Sequence, residues 1–283
     1  MKAVTCLFVY LLFFIPLSFA KDTVRYTSSV KYPDTKQQYF IDTLTLALEA
    51  TKDDYGDYEL LPIELEIPQG RTSALVESGN SIDISWRMTS AELEQRLMPI
   101  PIPLLKGLMG YRIGIIREGD QQRFPSNITE GQLQQIIIGQ GYDWPDTVIL
   151  RENGMTVIEG FAHTLLTMLE QKRFDLFLRA LHEPWVEIKD KSEFTVEKNI
   201  LVQYPAPMFF FVNRNNNRLY ERLTVGLNQS IDDGSFQTLF ENHPVTADIV
   251  SRANLEQRKV FKLSNPLLSD ETQKLIGDKR LWH

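Results

Sequence analysis

Proline occupies every second position of Pro99-Ile100-Pro101-Ile102-Pro103. Proline has no backbone N–H to give a ladder, so this run cannot lie inside a sheet and reads as an extended edge or a crossing. On either side of it the chain alternates strand-like and helix-like segments. The run therefore divides the chain into two α/β units.

The first unit opens with a strand over 24–28 and a helix from Asp34. Phe40, Leu44, Ala47 and Leu48 share one face of that helix, and Gly56 ends it. A strand over 58–67, a short helix over 71–77 that stops at Gly79-Asn80, and a strand over 82–86 follow. This βαβαβ order predicts a mostly parallel sheet with right-handed crossovers. The second unit has strands over 110–117, 156–159 and 174–178, with helices from Glu130, near 146–151 and over 163–171. Strands over 200–204 and 208–212 surround Pro205 and Pro207, which reads as a return crossing. A helix over 218–231, with Leu219, Leu223 and Leu227 four apart, continues over 236–240, and Asn265-Pro266 marks a turn in the tail. Two α/β units joined by two crossing segments imply two lobes around a cleft, a shape that binds small molecules and closes by hinge motion.

Residues 1–20 read as a secretory signal: Lys2, an apolar core over 4–15, and Ser18-Phe19-Ala20 before the cleavage point. The apolar run is short for a membrane span, which needs about 20 residues. The single cysteine, Cys6, lies inside this segment. The exported chain then has no thiol chemistry, disulfide or cysteine zinc site, and at this length it can bury a core without staples. Loss of Lys2 takes the formal charge from −7 to −8. Acidic and basic residues are interspersed without a basic aromatic patch, which argues against nucleic acid as a partner.

The segment Ile136-Ile137-Ile138-Gly139-Gln140-Gly141-Tyr142-Asp143-Trp144-Pro145-Asp146 reads as a strand, a tight glycine turn and a helix start. Gly139 and Gly141 would supply the turn, Asp143 the cap and Pro145 the first helical position. Such a turn presents N–H groups at a helix dipole, where polar or anionic ligands sit. The same segment also reads as a well-capped strand–helix connection, with Trp144 covering the helix start. Trp86-Arg87-Met88-Thr89 ends a first-unit strand, and Arg179-Ala180-Leu181-His182-Glu183-Pro184 ends a second-unit strand. Ligands in open α/β sheets sit beyond the carboxyl ends of strands. Candidate ligand-binding residues are thus Trp86, Arg87, Thr89, Gly141, Tyr142, Asp143, Trp144, Arg179 and Glu183. Arg87 and Arg179 could each grip a carboxylate, or sit on the surface as most arginines do. His182 and Glu183 do not make a metal site, because three or four convergent ligands are needed. There is no Gly-x-Ser-x-Gly elbow, His-Glu-x-x-His pair or Walker loop, so no catalytic residue and no cofactor is expected.

Leu105-Lys106-Gly107-Leu108-Met109-Gly110-Tyr111-Arg112, Gly141-Tyr142-Asp143-Trp144-Pro145-Asp146-Thr147, Arg173-Phe174-Asp175 and Ile231-Asp232-Asp233-Gly234-Ser235-Phe236, in that order, resemble family 3 of the bacterial periplasmic solute-binding proteins, the amino-acid type that serves ABC transporters. The resemblance implies a type II periplasmic-binding fold. It implies a first lobe from 21–105 and 206–283, and a second lobe from 106–205. It also implies a monomer in the periplasm that captures a small polar solute for an inner-membrane permease. A membrane-bound sensor as partner, or a cleft enzyme on the same fold, are the alternatives. Relatives place Met-Thr and then an arginine for the ligand carboxylate; here Met88-Thr89 matches and Glu94 holds the arginine's place, with Arg96 two residues on. Relatives place an aspartate for the ligand's amino group after the last second-lobe strand; here Asp175 precedes that strand and Arg179-Ala180 ends it. An anionic or aromatic solute is therefore an alternative to an α-amino acid.

Overall fold

The computed structural model describes residues 21–30 and 36–282. The expected signal over 1–20 and the helix start at Asp34 lie outside the described residues. The first lobe opens with β1 (Asp22–Ser28), α1 (Gln37–Ala50), α2 (Lys52–Tyr55), β2 (Tyr58–Glu64), α3 (Gln69–Ser78), β3 (Ile84–Met88), α4 (Ala91–Arg96) and β4 (Met98–Ile100). The alternating prolines behave as their chemistry requires: β4 is a three-residue edge strand, paired on one side only.

The second lobe follows with β5 (Tyr111–Arg117), α5 (Glu130–Gln134), β6 (Ile137–Gly141), α6 (Pro145–Glu152), β7 (Thr156–Gly160), α7 (Leu165–Glu170), β8 (Leu176–Ala180), α8 (Pro184–Glu187), β9 (Phe194–Val196) and β10 (Ile200–Gln203). The chain then returns through β11 (Met208–Val212), α9 (Asn217–Asp232), α10 (Ser235–Asn242), α11 (Ile249–Ala253), β12 (Lys259–Lys262) and α12 (Asp270–Leu275).

The strands form three sheets, of which β1-β2 is parallel, the three-stranded β3-β11-β4 sheet is antiparallel and the large one is mixed, where the βαβαβ order predicted one mostly parallel sheet. In the first lobe β1 and β2 are parallel, whereas β11 runs antiparallel to β3 and β4. Asp83 N–H donates to the Arg25 carbonyl at 2.8 Å and ties β3 to β1. In the second lobe β6 is parallel to β7 and β8, while β5 is antiparallel to β8, β9 and β10. The odd strand in each lobe is the one that follows a crossing. It enters from the other lobe, so it runs away from the cleft while its neighbours run toward it. The carboxyl ends of β6, β7 and β8 and the start of β5 therefore share one edge.

The tail departs from the expected lobe division. β12 pairs in parallel with β10, Phe261 opposite Val202, so this stretch of 206–283 belongs to the second-lobe sheet. Its fit is apolar, since Phe261 packs with Ile200, Val202 and Tyr204.

The glycine turn is also corrected. Gly139 and Gly141 lie within β6, and neither takes a positive φ. They are glycines because a Cβ at Gly139 would stand 2.2 Å from the Phe174 ring, and one at Gly141 2.4 Å from the Trp144 indole. Asp143 does not cap α6; Trp144 occupies the cap position without a capping side-chain bond, and Pro145 opens the helix.

Burial follows the patterns that produce these elements. All five residues of β8 are buried, as expected of a strand covered on both faces. α1 and α9 cover the first sheet with Phe40, Leu44, Ala47 and Leu48 against Leu219, Leu223 and Leu227.

Candidate functional site

The carboxyl ends of β1, β2 and β3, with the starts of α1 and α3, surround a cavity of about 180 Å³. Thr27, Ser28, Ser29, Gln37, Gln69, Thr72 and Ser85 give it a hydroxyl- and amide-rich wall, Leu65, Ile67 and Trp86 an apolar one. Arg87 is the one charged side chain among these described lining residues. Trp86 is fixed by stacking on Phe40, with centroids 5.6 Å apart, and by Phe210 edge-on at 6.3 Å.

Arg87 is partly tethered. Its Nη1 donates to the Gln69 carbonyl at 3.0 Å and to Ser73 Oγ at 2.7 Å. Its Nε is buried with no hydrogen-bond partner among the described residues, and so is Ser85 Oγ two residues earlier. Burial pushes the Arg87 guanidinium below its ordinary pKa, and the charge of Asp143 from the second lobe opposes that shift. Asp143 in turn buries an Oδ2 that has no partner among the described residues. Arg87 and Asp143 thus each bury a polar atom without a partner among the described residues, and the charge of one acts on the other.

Other predicted residues have different surroundings. Thr89 is buried; its hydroxyl donates to Glu94 Oε1 at 2.5 Å, and its N–H to the Pro207 carbonyl at 3.0 Å. Tyr142 is exposed at the end of β6 and meets Phe161 edge-on at 5.1 Å. Gly141 is backbone beneath Trp144. Trp144 turns inward, lying flat over Phe177 at 6.3 Å and under the Arg179 guanidinium at 4.6 Å.

Arg179 and Glu183 come together, but toward each other. Arg179 Nη2 donates to Glu183 Oε1 at 2.7 Å and Nε to Glu187 Oε2 at 2.9 Å, and Phe177 packs on the guanidinium at 5.0 Å. Glu183 Oε2 accepts the Ala180 N–H at 2.8 Å. Burial alone would neutralise both groups; their mutual charge, with Glu187, holds Arg179 above its ordinary pKa and, with Lys36, holds Glu183 below its own. The expectation that Arg179 offers a free guanidinium to a solute does not describe this arrangement.

Sequence reasoning missed several members of this edge. Arg112 at the start of β5 is fully buried, 2.7 Å from Asp146 Oδ1 and 5.6 Å from the centre of the Tyr204 ring. The Tyr204 hydroxyl donates to Asp146. Ser85, Glu187 and Lys36 were likewise unmarked. Nothing local in the sequence distinguishes Arg112 from the other arginines, whereas Ser85 could have been found as a hydroxyl flanking a strand-end tryptophan.

The positions that relatives use for an amino-acid clamp are engaged elsewhere. Glu94 accepts from Thr89 and from Thr272, Arg96 pairs with Glu77, and Asp175 pairs with Arg123 at the opposite end of β8.

No protein-family model matches the sequence, and no curated protein matches it. Solved structures do match. A Salmonella typhimurium periplasmic binding protein described for its high arginine specificity superposes with a TM-score of 0.58 at 12% identity, over 78% of this chain and 98% of that one. A putative L-cystine ABC transporter protein from Listeria monocytogenes gives 0.53 at 13% identity, over 78% and 94%. A Bacillus subtilis protein, YCKB, gives 0.52 at 17% identity, over 86% and 96%. The fold is that of the two-lobed periplasmic binding proteins. At such identities the likeness carries the fold alone. Several of the matching structures are described as amino-acid binding proteins or ABC transporter substrate-binding proteins. Among the described residues no helix is long and apolar enough to cross a membrane.

Proposed function

We propose that this chain is a periplasmic binding protein, not an enzyme, which captures a small polar solute by closing its lobes and delivers it to an inner-membrane ABC permease. The observation that carries the reading is the set of buried, unpartnered polar atoms at the cleft: Ser85 Oγ and Arg87 Nε on one side and Asp143 Oδ2 on the other. Such groups cost about 1–3 kcal/mol each when left unsatisfied. A solute with an anionic or acceptor group for Ser85 and Arg87, and a donor for Asp143, would satisfy both lobes only when they are closed. It would therefore shift the open–closed equilibrium by its differential affinity. Trp86, Leu65 and Ile67 offer such a solute an apolar surface. The ABC permease as recipient is taken from the roles named for structural neighbours.

The test is a thermal-shift screen of the exported chain against amino acids, organic acids and polyamines, since a native-state binder raises the melting temperature by mass action. A hit is then repeated with Arg87→Ala, which is expected to lose at least about tenfold in affinity. The variant also loses the Nη1 bonds to the Gln69 carbonyl and Ser73 Oγ, so its affinity is measured by titration below its own melting temperature. Absence of any shift at millimolar solute, or a hit unaffected by Arg87→Ala, refutes the reading or the site respectively.

A further inference from the structure

A second charge pair bridges the two lobes beside the same cavity. Lys36 directly precedes α1 and adjoins Gln37, which lines the cavity. Its ammonium lies 3.3 Å from Glu187 Oε1 and 3.7 Å from Glu183 Oε1, both in the second lobe. The side chains of Lys36, Glu183 and Glu187 are only 16%, 7% and 20% exposed, so water screens them weakly.

The acceptor is built before the lysine arrives. Glu183 is fixed by the Ala180 N–H and by Arg179, and Glu187 by the same Arg179, whose guanidinium is packed on Trp144 and Phe177. All of these groups belong to the second lobe. Arg112 and Arg179 face Asp146, Glu183 and Glu187, and the charge of His182 also acts on Glu183. Lys36 adds a cation from the first lobe to this set. Separation of the lobes would take the Lys36 charge away from Glu183 and Glu187 in a half-dry site, where rigid partners cannot rearrange to replace it.

We propose that Lys36 is a ligand-independent latch: its pairing with Glu183 and Glu187 favours the closed arrangement of the empty protein. This deepens the reading of lobe closure given above, but it does not depend on which solute is bound. Its consequence is that the solute works against a smaller closure cost, since apparent affinity scales with the fraction of molecules already competent to bind. Arg87 and Asp143 then have the complementary role. They oppose each other across the cleft without a direct ion pair and are satisfied only through a bound solute.

The test uses the ligand-free protein. The chain from residue 21 onward has no cysteine, so one cysteine placed at exposed Asp53 in the first lobe and one at exposed Glu170 in the second carry a fluorophore pair cleanly. Lys36→Gln is expected to move the population toward the longer interlobe distance, lowering the closed-to-open ratio about fivefold. The unsubstituted protein should open likewise as salt is raised toward 1 M, where the screening length falls to about 3 Å. Lys36→Arg retains the charge and should remain closed. An unchanged distance distribution in Lys36→Gln overturns the proposal, as does opening in Lys36→Arg as large as in Lys36→Gln. Neither result bears on whether a solute binds, so failure of the latch and failure of solute capture are separable.

Discussion

Replacing Arg179 with methionine separates a structural arginine from a ligand-binding one. Arg179 is 6% exposed, and its guanidinium is bonded to Glu183 and Glu187 and packs against two aromatic rings. Methionine keeps much of the apolar stem and its contact with Trp144 but removes the charge. Glu183, 5% exposed, then keeps the Ala180 N–H and Lys36, with Arg112 Nη1 only at 3.9 Å. Breaking one side of a buried pair costs about 3–5 kcal/mol, because the remaining charge loses its nearest partner. The expected outcome is a loss of that size in urea denaturation at pH 7, seen as a lower midpoint with an unchanged slope.

The pH dependence gives the argument a second handle. In the parent protein Glu183 is held below its ordinary pKa, so its contribution is present above the unfolded value of about 4.3 and declines as pH falls toward the folded one. In Arg179→Met the dominant lowering charge is gone and burial raises the carboxyl instead. That group then favours folding when protonated and opposes it as pH rises. The difference between the two proteins should therefore be greatest near neutrality and shrink toward pH 4. A difference below about 1 kcal/mol at pH 7, or one that grows on acidification, would refute the buried-pair account.

Two further outcomes follow from the packing. Gly226→Ala would place a Cβ 2.0 Å from the Ala47 carbonyl oxygen, a backbone atom in α1 that cannot swing away; a loss of about 1–3 kcal/mol is expected, read as a lower melting temperature. Burial pushes Tyr39 and Tyr204 above the ordinary tyrosine range. Both should stay un-ionised past the unfolded value of about 10, and the stability they contribute below it should be lost as pH rises further. A phenolate absorbance titration in which all tyrosines ionise together in the folded protein would contradict this.

The sequence made the architecture legible because strands and amphipathic helices are local patterns. β1, β5, β10 and β11 lie within two residues of their expected bounds, and the prolines at 99, 101 and 103 marked the edge strand before the first crossing. What failed was reading a local feature whose cause is distant. Gly139 and Gly141 looked like turn residues, but their small size answers Phe174 and Trp144, one of them in a different element. β12 joined the second-lobe sheet through pairing with β10, a partnership no tail motif announces. The site shows the same limit more sharply. Arg87 and Arg179 are equivalent in sequence, each near the end of a strand at the cleft edge. Only the fold reveals that Glu183 and Glu187 engage one of them, whereas the other keeps a buried nitrogen unsatisfied.

On the proposed site, that difference also restricts what the cleft would hold firmly. If each of the three unsatisfied atoms recovers about 1–3 kcal/mol on binding, the polar set supplies roughly 3–9 kcal/mol. Micromolar affinity needs about 8 kcal/mol net, after the loss of the solute's translational and rotational freedom has been met. The polar atoms therefore cannot supply it unaided, even at the upper end of their range. The remainder must come from apolar area buried against Trp86, Leu65 and Ile67, at about 25 cal/mol per Å², and from any closure that Lys36 has already secured. A bare inorganic anion would reach Arg87 but use none of that apolar wall. A solute that joins a charged group to a carbon skeleton large enough to cover the indole would use both.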